Sequence, residues 1–197
     1  MKEMWNQRFA AGEYYYGKEP NPWFKEKMDS LVPGSILVPA DGEGRNGVYA
    51  ATLGWQVTAI DFSEEGRKKA LLLASEKNVS VQYLIGDISQ TDFGTGKYDA
   101  VAMIYVHMPP PVRREVHRKL VNSLKPGGWF ILEAFNPKQI TNTSGGPKTP
   151  DMLYTVPILQ EDFHDIEIIE LNEYRVYLEA GDGHSGPADI IRFFGRK

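Results

Sequence analysis

Residues 35–54 read as a strand that runs straight into a glycine-rich turn and out into a helix, and no other stretch narrows the fold as sharply. Ser35-Ile36-Leu37-Val38-Pro39 is a short apolar run behind the turn signal Pro33-Gly34. It meets Ala40-Asp41-Gly42-Glu43-Gly44; Val48, Ala51, Thr52 and Leu53 then fall near helical spacing, and Gly54 supplies a stop.

The same pattern recurs. Gln56 to Asp61 is β-rich and ends in an acid, Ser63 offers a helix N-cap with Glu64 and Glu65 in the first turn, and Val81 to Ile85 is a third strand closed by Gly86-Asp87. Tyr98 to Val106 is apolar nearly throughout, as a strand covered on both faces must be. Pro109-Pro110-Pro111 breaks the chain. Val112, Val116, Leu120 and Leu124 then mark an amphipathic helix whose basic face carries Arg113, Arg114, Arg118 and a solvated His117, and Lys125-Pro126-Gly127-Gly128 ends it. Trp129 to Phe135 is another strand, and residues 136–150 are a long loop of the kind that often serves as a lid. Two β-like runs, Ile166 to Leu178 and Ala188 to Phe194, predict a terminal hairpin. Repeated βα units imply a parallel sheet wound by right-handed crossovers, which a hairpin can enter only with one antiparallel strand. The expectation is a single Rossmann-like α/β domain over residues 1–197: an aromatic segment, 1–30, closing over a core, 31–197.

Composition removes several classes of function. The 197 residues contain no cysteine, so disulfides, zinc–thiolate sites and thiol redox chemistry are excluded. A net charge of −4 argues against a surface that neutralises many phosphates, so a small-molecule partner is expected and not a nucleic acid. The sequence shows neither a secretory pattern at Met1-Lys2-Glu3-Met4 nor an apolar stretch of membrane-spanning length. This predicts a cytoplasmic protein with no membrane partner, monomeric or homodimeric.

In a parallel sheet, ligands bind beyond the carboxyl ends of the strands, where the winding reverses. Gly42 and Gly44 let the backbone approach a ligand there, in front of free amides at the helix start. Asp61, nineteen residues after Gly42, is placed to accept from two ribose hydroxyls, and Asp87 from an exocyclic amine of adenine. Phe62 and Ile88 flank those acids. Together they describe an adenosine pocket, compatible with NAD or with S-adenosylmethionine, and Gly42-x-Gly44-x-x-Gly47 satisfies the dinucleotide pattern. Asp41 and Glu43 read as acids of an exposed turn.

The ordered set Ala40 to Asn46, Ala59-Ile60-Asp61-Phe62-Ser63, Gly86-Asp87, Tyr98-Asp99 and Leu124-Lys125-Pro126-Gly127-Gly128 resembles the motif series of class I S-adenosylmethionine-dependent methyltransferases. Trp5-Asn6-Gln7-Arg8-Phe9, Tyr16-Gly17-Lys18-Glu19-Pro20-Asn21-Pro22 and Gly42-Glu43-Gly44-Arg45-Asn46 resemble its tellurite-resistance branch. The resemblance implies a seven-stranded sheet with its last strand antiparallel, helices on both faces, S-adenosyl-L-methionine as cofactor, and metal-free methyl transfer to a thiol, a chalcogen oxyanion such as tellurite, or another heteroatom. An NAD-dependent oxidoreductase and a non-catalytic adenosylmethionine-binding domain are the alternatives. Two positions depart from the family pattern. Ala40 replaces the first glycine, which is tolerable if its φ is negative, and Val38 replaces an acid that often holds the methionine amine.

The remaining candidates line the other end of the pocket. Tyr105 and His107 end the fourth strand beside the expected methyl group, and His107 can take a proton at neutral pH or simply stack on the prolines that follow. The aromatic segment Trp5, Phe9, Tyr14, Tyr15, Tyr16, Trp23 and Phe24 suits either closure over a sulfonium or core packing; within it, Tyr16 and Asn21 are assigned to the cofactor. Arg45 is assigned to the cofactor carboxylate, with pairing to a neighbouring acid as the alternative. His184, in a glycine-rich loop, either reaches the substrate side or is an exposed histidine with no role, the second being the reading taken.

Overall fold

The computed structural model describes residues 2–197. Seven strands form one sheet: β1 (Ser35–Pro39), β2 (Gln56–Asp61), β3 (Gln82–Ile85), β4 (Tyr98–Ile104), β5 (Leu124–Phe135), β6 (Glu167–Ala180) and β7 (His184–Arg196). Their spatial order is β3-β2-β1-β4-β5-β7-β6, with parallel pairing from β3 through β5 and β7 antiparallel to both β5 and β6. The winding reverses between β1 and β4. The dinucleotide fold runs all-parallel as 3-2-1-4-5-6; an antiparallel β7 inserted between β5 and β6 separates this sheet from it.

Strand periodicity divides the core in two. Ile36, Val38, Val57, Ala59, Ala100, Ala102 and Ile131 face helices α2 (Pro22–Ser30), α3 (Arg45–Thr52) and α4 (Glu64–Glu76). Leu37, Ile60, Val101, Met103, Phe130 and Leu132 face α5 (Pro110–Ser123) and α6 (Val156–Asp162). Helix α1 (Lys2–Ala10) lies across α4 and the first turn, where Phe9 covers Gly42. The aromatic segment is therefore two short helices joined by Tyr14–Gly17; Trp23 and Phe24 are core residues, and Tyr16 is not.

Local chemistry explains most boundaries. Ser63 caps α4 by accepting from the Gly66 amide at 3.0 Å. The three prolines open α5 instead of merely breaking the chain, because Pro110 and Pro111 fall in the first turn, where no intrahelical donor is needed. Leu124 belongs to β5, which carries a bulge opposite Tyr98 and Ala100, and not to the helix. His117 corrects the expected solvated histidine. Helix α6 covers that face of α5, and Asp162 receives Arg113 Nε at 2.6 Å and His117 Nδ1 at 2.8 Å in the interior.

The loop after β5 is pinned and does not hang as a free lid. Buried Gln139 accepts from the Asp189 amide at 2.9 Å and donates to Ser144 and Gly145, while Asn136 Nδ2 donates to the Ile190 carbonyl at 3.0 Å.

Candidate functional site

The carboxyl ends of the parallel strands and the start of antiparallel β7 meet on one rim. β1 ends in a turn built from left-handed residues: Ala40 at φ 54°, Gly42 at 56° and Gly44 at 85°. Ala40 therefore does not adopt the negative φ that would make it a neutral replacement for glycine. The turn is braced from inside. Gly42 N–H donates to Asp61 Oδ2 at 3.2 Å, Gly47 N–H donates to Asp41 Oδ2 at 3.1 Å, and the Tyr83 hydroxyl donates to the Gly42 carbonyl. Asp41 and Glu43 are buried, contrary to the exposed turn expected, because α1, the Tyr14–Gly17 segment and α4 close over them. Glu43 receives the Tyr15 amide at 2.7 Å and the Lys69 ammonium at 2.8 Å. These two acids hold structure and do not await a ligand.

Asp61 is 6% exposed and ends β2 as predicted. Its second oxygen accepts from Ser63 N–H at 2.8 Å, and burial raises its pKa against the pull of these amides. Phe62 beside it is half-buried. Asp87 lies just beyond β3 with its carboxylate at the surface, where Oδ1 accepts from the amide and hydroxyl of Ser89, both at 2.8 Å. Ile88 packs partly against the core.

Arg45 begins α3. It is 9% exposed, donates to the Tyr16 carbonyl at 3.2 Å, and lies against the Tyr16 ring with its carbon 5.7 Å from the centroid. Among the described residues no carboxylate comes within 4.0 Å of it; burial is the main cause lowering its pKa.

Asn21 is a structural tie at the start of α2. Its amide oxygen caps α2 through Phe24 N–H, its backbone donates to Asn46, and its Nδ2 donates to Glu133 Oε1 at 2.6 Å. Glu133, a lone acid in β5 that sequence reading passed over, also accepts from Tyr105 Oη at 2.7 Å and from Arg192 Nε at 2.7 Å. A single acid inside an otherwise apolar strand was the signal for it.

Tyr105 follows β4 directly, at φ 57°, a strained conformation for a bulky side chain of the sort that collects at functional sites. Its ring centroid lies 4.7 Å from that of Phe135, tilted, and 4.4 Å from that of His184, edge to face. His107 is corrected from candidate base to brace. Its Nδ1 donates to the Met152 carbonyl at 2.7 Å and its Nε2 accepts from Phe135 N–H at 3.2 Å, so both nitrogens are engaged in the neutral form. Burial pushes its pKa down to about 4.

His184 is the largest departure from expectation. It is 4% exposed, because the tip of the hairpin folds beneath Tyr15 and Tyr16, where Gly183 N–H donates to the Tyr15 carbonyl at 3.1 Å. Its ring lies 4.5 Å from Tyr16 and 5.3 Å from Phe135, and its Nδ1 has no hydrogen-bond partner among the described residues. The structure thus brings the turn, Asp61, Arg45, Tyr16, Tyr105 and His184 to one rim. Two surface hollows, about 350 Å³ beside Leu37, Ile60 and Tyr98 and about 570 Å³ beside Trp55 and Trp129, include none of these residues.

Comparison with known proteins agrees with this geometry. Residues 36–128 match the family described as "Methyltransferase domain". A ubiquinone biosynthesis O-methyltransferase of Xanthomonas oryzae pv. oryzae is 37% identical over 109 residues, 54% of this chain and 45% of that protein. The match thus spans less than half of that relative. TehB from Haemophilus influenzae superposes with a TM-score of 0.75 at 18% identity, over 100% of this chain and 66% of that one. The N-methyltransferase NodS from Bradyrhizobium japonicum, solved with S-adenosyl-L-homocysteine, gives 0.73 at 13% identity, over 100% and 97%. At such identities the likeness establishes the fold.

Proposed function

We propose that this chain, which has the class I methyltransferase fold and matches a methyltransferase-domain family over residues 36–128, transfers a methyl group from S-adenosyl-L-methionine to a small-molecule nucleophile. The observation that carries the reading is Asp61, a buried carboxylate at the end of β2 that also holds the glycine turn. A carboxylate offers about four acceptor sites; with two amides bound, Asp61 keeps capacity for ribose hydroxyls. The unpaired Arg45 guanidinium supports it independently, since a buried cation without a carboxylate suits the carboxylate of an amino-acid ligand. In this reading Gly42 and Gly44 line the ligand's backbone-facing side, Phe62 and Ile88 flank its base, and Asp87 has one carboxylate oxygen left for an adenine amine.

When bound, S-adenosylmethionine supplies a methyl group on a positively charged sulfur, a leaving group that needs no activation. The protein's part is alignment and the exclusion of water. Tyr16 and Tyr105 wall the space and the pinned residue 136–150 loop closes one side. Tyr16, its pKa pushed up to about 12 by burial, stays protonated and neutral. Neither it nor His107 is placed to move a proton.

Calorimetric titration with S-adenosylmethionine, S-adenosylhomocysteine and NAD tests the cofactor. Micromolar binding of both sulfur ligands with none of NAD is the expected result, and the reverse pattern would overturn the proposal. A labelled-methyl screen over thiols, tellurite, selenite, phenols and amines then separates an enzyme from a binding domain.

A further inference from the structure

Among the described residues four buried side-chain nitrogens lack a hydrogen-bond partner, Trp23 Nε1, Trp55 Nε1, His117 Nε2 and His184 Nδ1, and of these only His184 lies on the candidate rim. His184 Nδ1 is closed off from solvent and unpartnered, although the ring is fixed between Tyr16, Tyr105 and Phe135 and Gly145 packs against its edge. Leaving a buried donor or acceptor unsatisfied costs roughly 1–3 kcal/mol, so one kept on the rim of a candidate site is suited to pair with a ligand there. The alternative bases are all committed. Asp61 holds two amides, Glu133 accepts from Asn21, Tyr105 and Arg192, and both nitrogens of His107 are bonded.

Resting on the methyltransferase reading above, we propose that His184 binds the methyl acceptor by donating a hydrogen bond from Nδ1, and that the acceptor is a nucleophile already ionised on entry, a thiolate being the simplest. His184 is the unengaged base at this rim, and burial beside the Arg45 cation disfavours its protonated form, so it does not take a proton from a phenol or an ammonium. It can receive an anion. The electrostatics point the same way: a sulfonium and an anion neutralise each other on the way to the transition state, and a water-poor aromatic enclosure favours a reaction that destroys charge. The acceptor's lone pair forms the bond to the methyl carbon while the carbon–sulfur bond breaks toward sulfur. Two neutral thioethers result, and no proton needs a place. The titratable groups facing His184 are Tyr16, Tyr105, His107 and the Arg45 cation; burial first, then Arg45 and His107, hold the imidazole neutral, with its pKa down to about 3. It therefore serves as a hydrogen-bond donor and not as a base.

Thiophenol, 4-nitrothiophenol and 2-mercaptoethanol are the probes, with phenol and aniline as contrasts. In the wild type, the pH of half-maximal kcat/KM should follow each thiol's own pKa, and phenol and aniline should react at least 100-fold more slowly. His184→Phe, which keeps a ring in the stack, should raise KM for thiophenol at least tenfold while the dissociation constant for S-adenosylhomocysteine stays within twofold. A readout without turnover accompanies these. In ¹⁵N-histidine-labelled protein saturated with S-adenosylhomocysteine, thiophenol should shift the His184 Nδ1 resonance and leave the other three imidazoles in place. A pH profile that bends at one fixed value for every thiol, efficient methylation of phenol or aniline, or an unmoved His184 resonance would each overturn the proposal. Failure of S-adenosylhomocysteine to bind the wild type would instead remove the methyltransferase reading beneath it.

Discussion

Tyr105 Oη donates to Glu133 Oε1 across the ends of two neighbouring strands, and that carboxylate, only 2% exposed, is also where Asn21 and Arg192 converge. Four segments distant in sequence meet at one buried charge: the start of α2, the end of β4, β5 and β7. Removing one member of such a buried pair leaves the other charge uncompensated, at a cost of about 3 kcal/mol or more. Glu133→Ala is therefore expected to lower stability to urea by about 3 kcal/mol, and Glu133→Gln by roughly half as much, since the amide still accepts one bond. Because Asn21 anchors the aromatic segment, limited proteolysis should also cut Glu133→Ala sooner between residues 11 and 20. Equal stability of all three proteins would show that the network is not holding the site together.

The glycine turn gives two neighbouring substitutions of opposite sign. Ala40 sits at φ 54°, where an alanine costs roughly 1–2 kcal/mol against the right-handed region. Glycine removes that strain but loses more chain entropy on folding, about 0.5–1 kcal/mol. Ala40→Gly should thus stabilise by about 0.5–1 kcal/mol. Gly44 lies at φ 85°, and a Cβ there would fall 2.5 Å from the Cβ of Ala70. Gly44→Ala must push α3 from α4, and a loss of at least about 2 kcal/mol is expected. Thermal melts of both variants check the pair.

What the sequence displays and what it conceals divide along one physical line. β1 to β4 and the turn at Gly42 are written in local periodicity and in residues that punctuate it, so the strand ends carrying Asp61 and Asp87 were legible. Glu133 and Arg192 were not, because each is a single charge in an apolar run, and only the antiparallel register that sets residue 133 opposite residue 192 makes them partners. His184 was misread for a related reason. Gly181 and Gly183 mark a flexible tip when read alone; in the fold they are small because Tyr15 and Tyr16 lie on them, where a Cβ would come within 2.4 Å. His117 was hidden by α6, whose Asp162 draws Arg113 and His117 into the interior while Arg114 and Arg118 of the same helix stay exposed.

Asp61 serves both turn and proposed ligand, which alters what its removal should do. Asp61→Ala releases the amides of Gly42 and Ser63 as well as any ribose, so a loss of roughly 1–3 kcal/mol in stability should accompany a fall of at least 30-fold in S-adenosylhomocysteine affinity. Asp61→Asn separates the two, because its amide oxygen still accepts from one backbone N–H while its NH₂ group opposes the other. Affinity retained in the alanine variant, measured by calorimetry on protein shown to be folded, would remove Asp61 from the pocket.

His107 provides a pH test whose sign follows from its environment. Its folded-state pKa of about 4 lies below the ordinary histidine value of about 6.5, so as pH falls the unfolded chain takes up the proton first. The contribution of the neutral, doubly bonded ring is fully present above about pH 6.5 and is lost as pH drops toward 4. A shift of this size corresponds to about 3 kcal/mol at most. His107→Gln offers one donor and one acceptor that do not titrate, so the stability of the wild type relative to this variant should decline by about 2–3 kcal/mol between pH 7 and pH 4. Because the buried acids Asp41 and Asp61 are present in both proteins and neither is coupled to His107, their titrations cancel in the difference. Urea denaturation at a series of pH values measures it, and a difference that stays level across that range would mean that His107 is protonated without breaking its bonds to Met152 and Phe135.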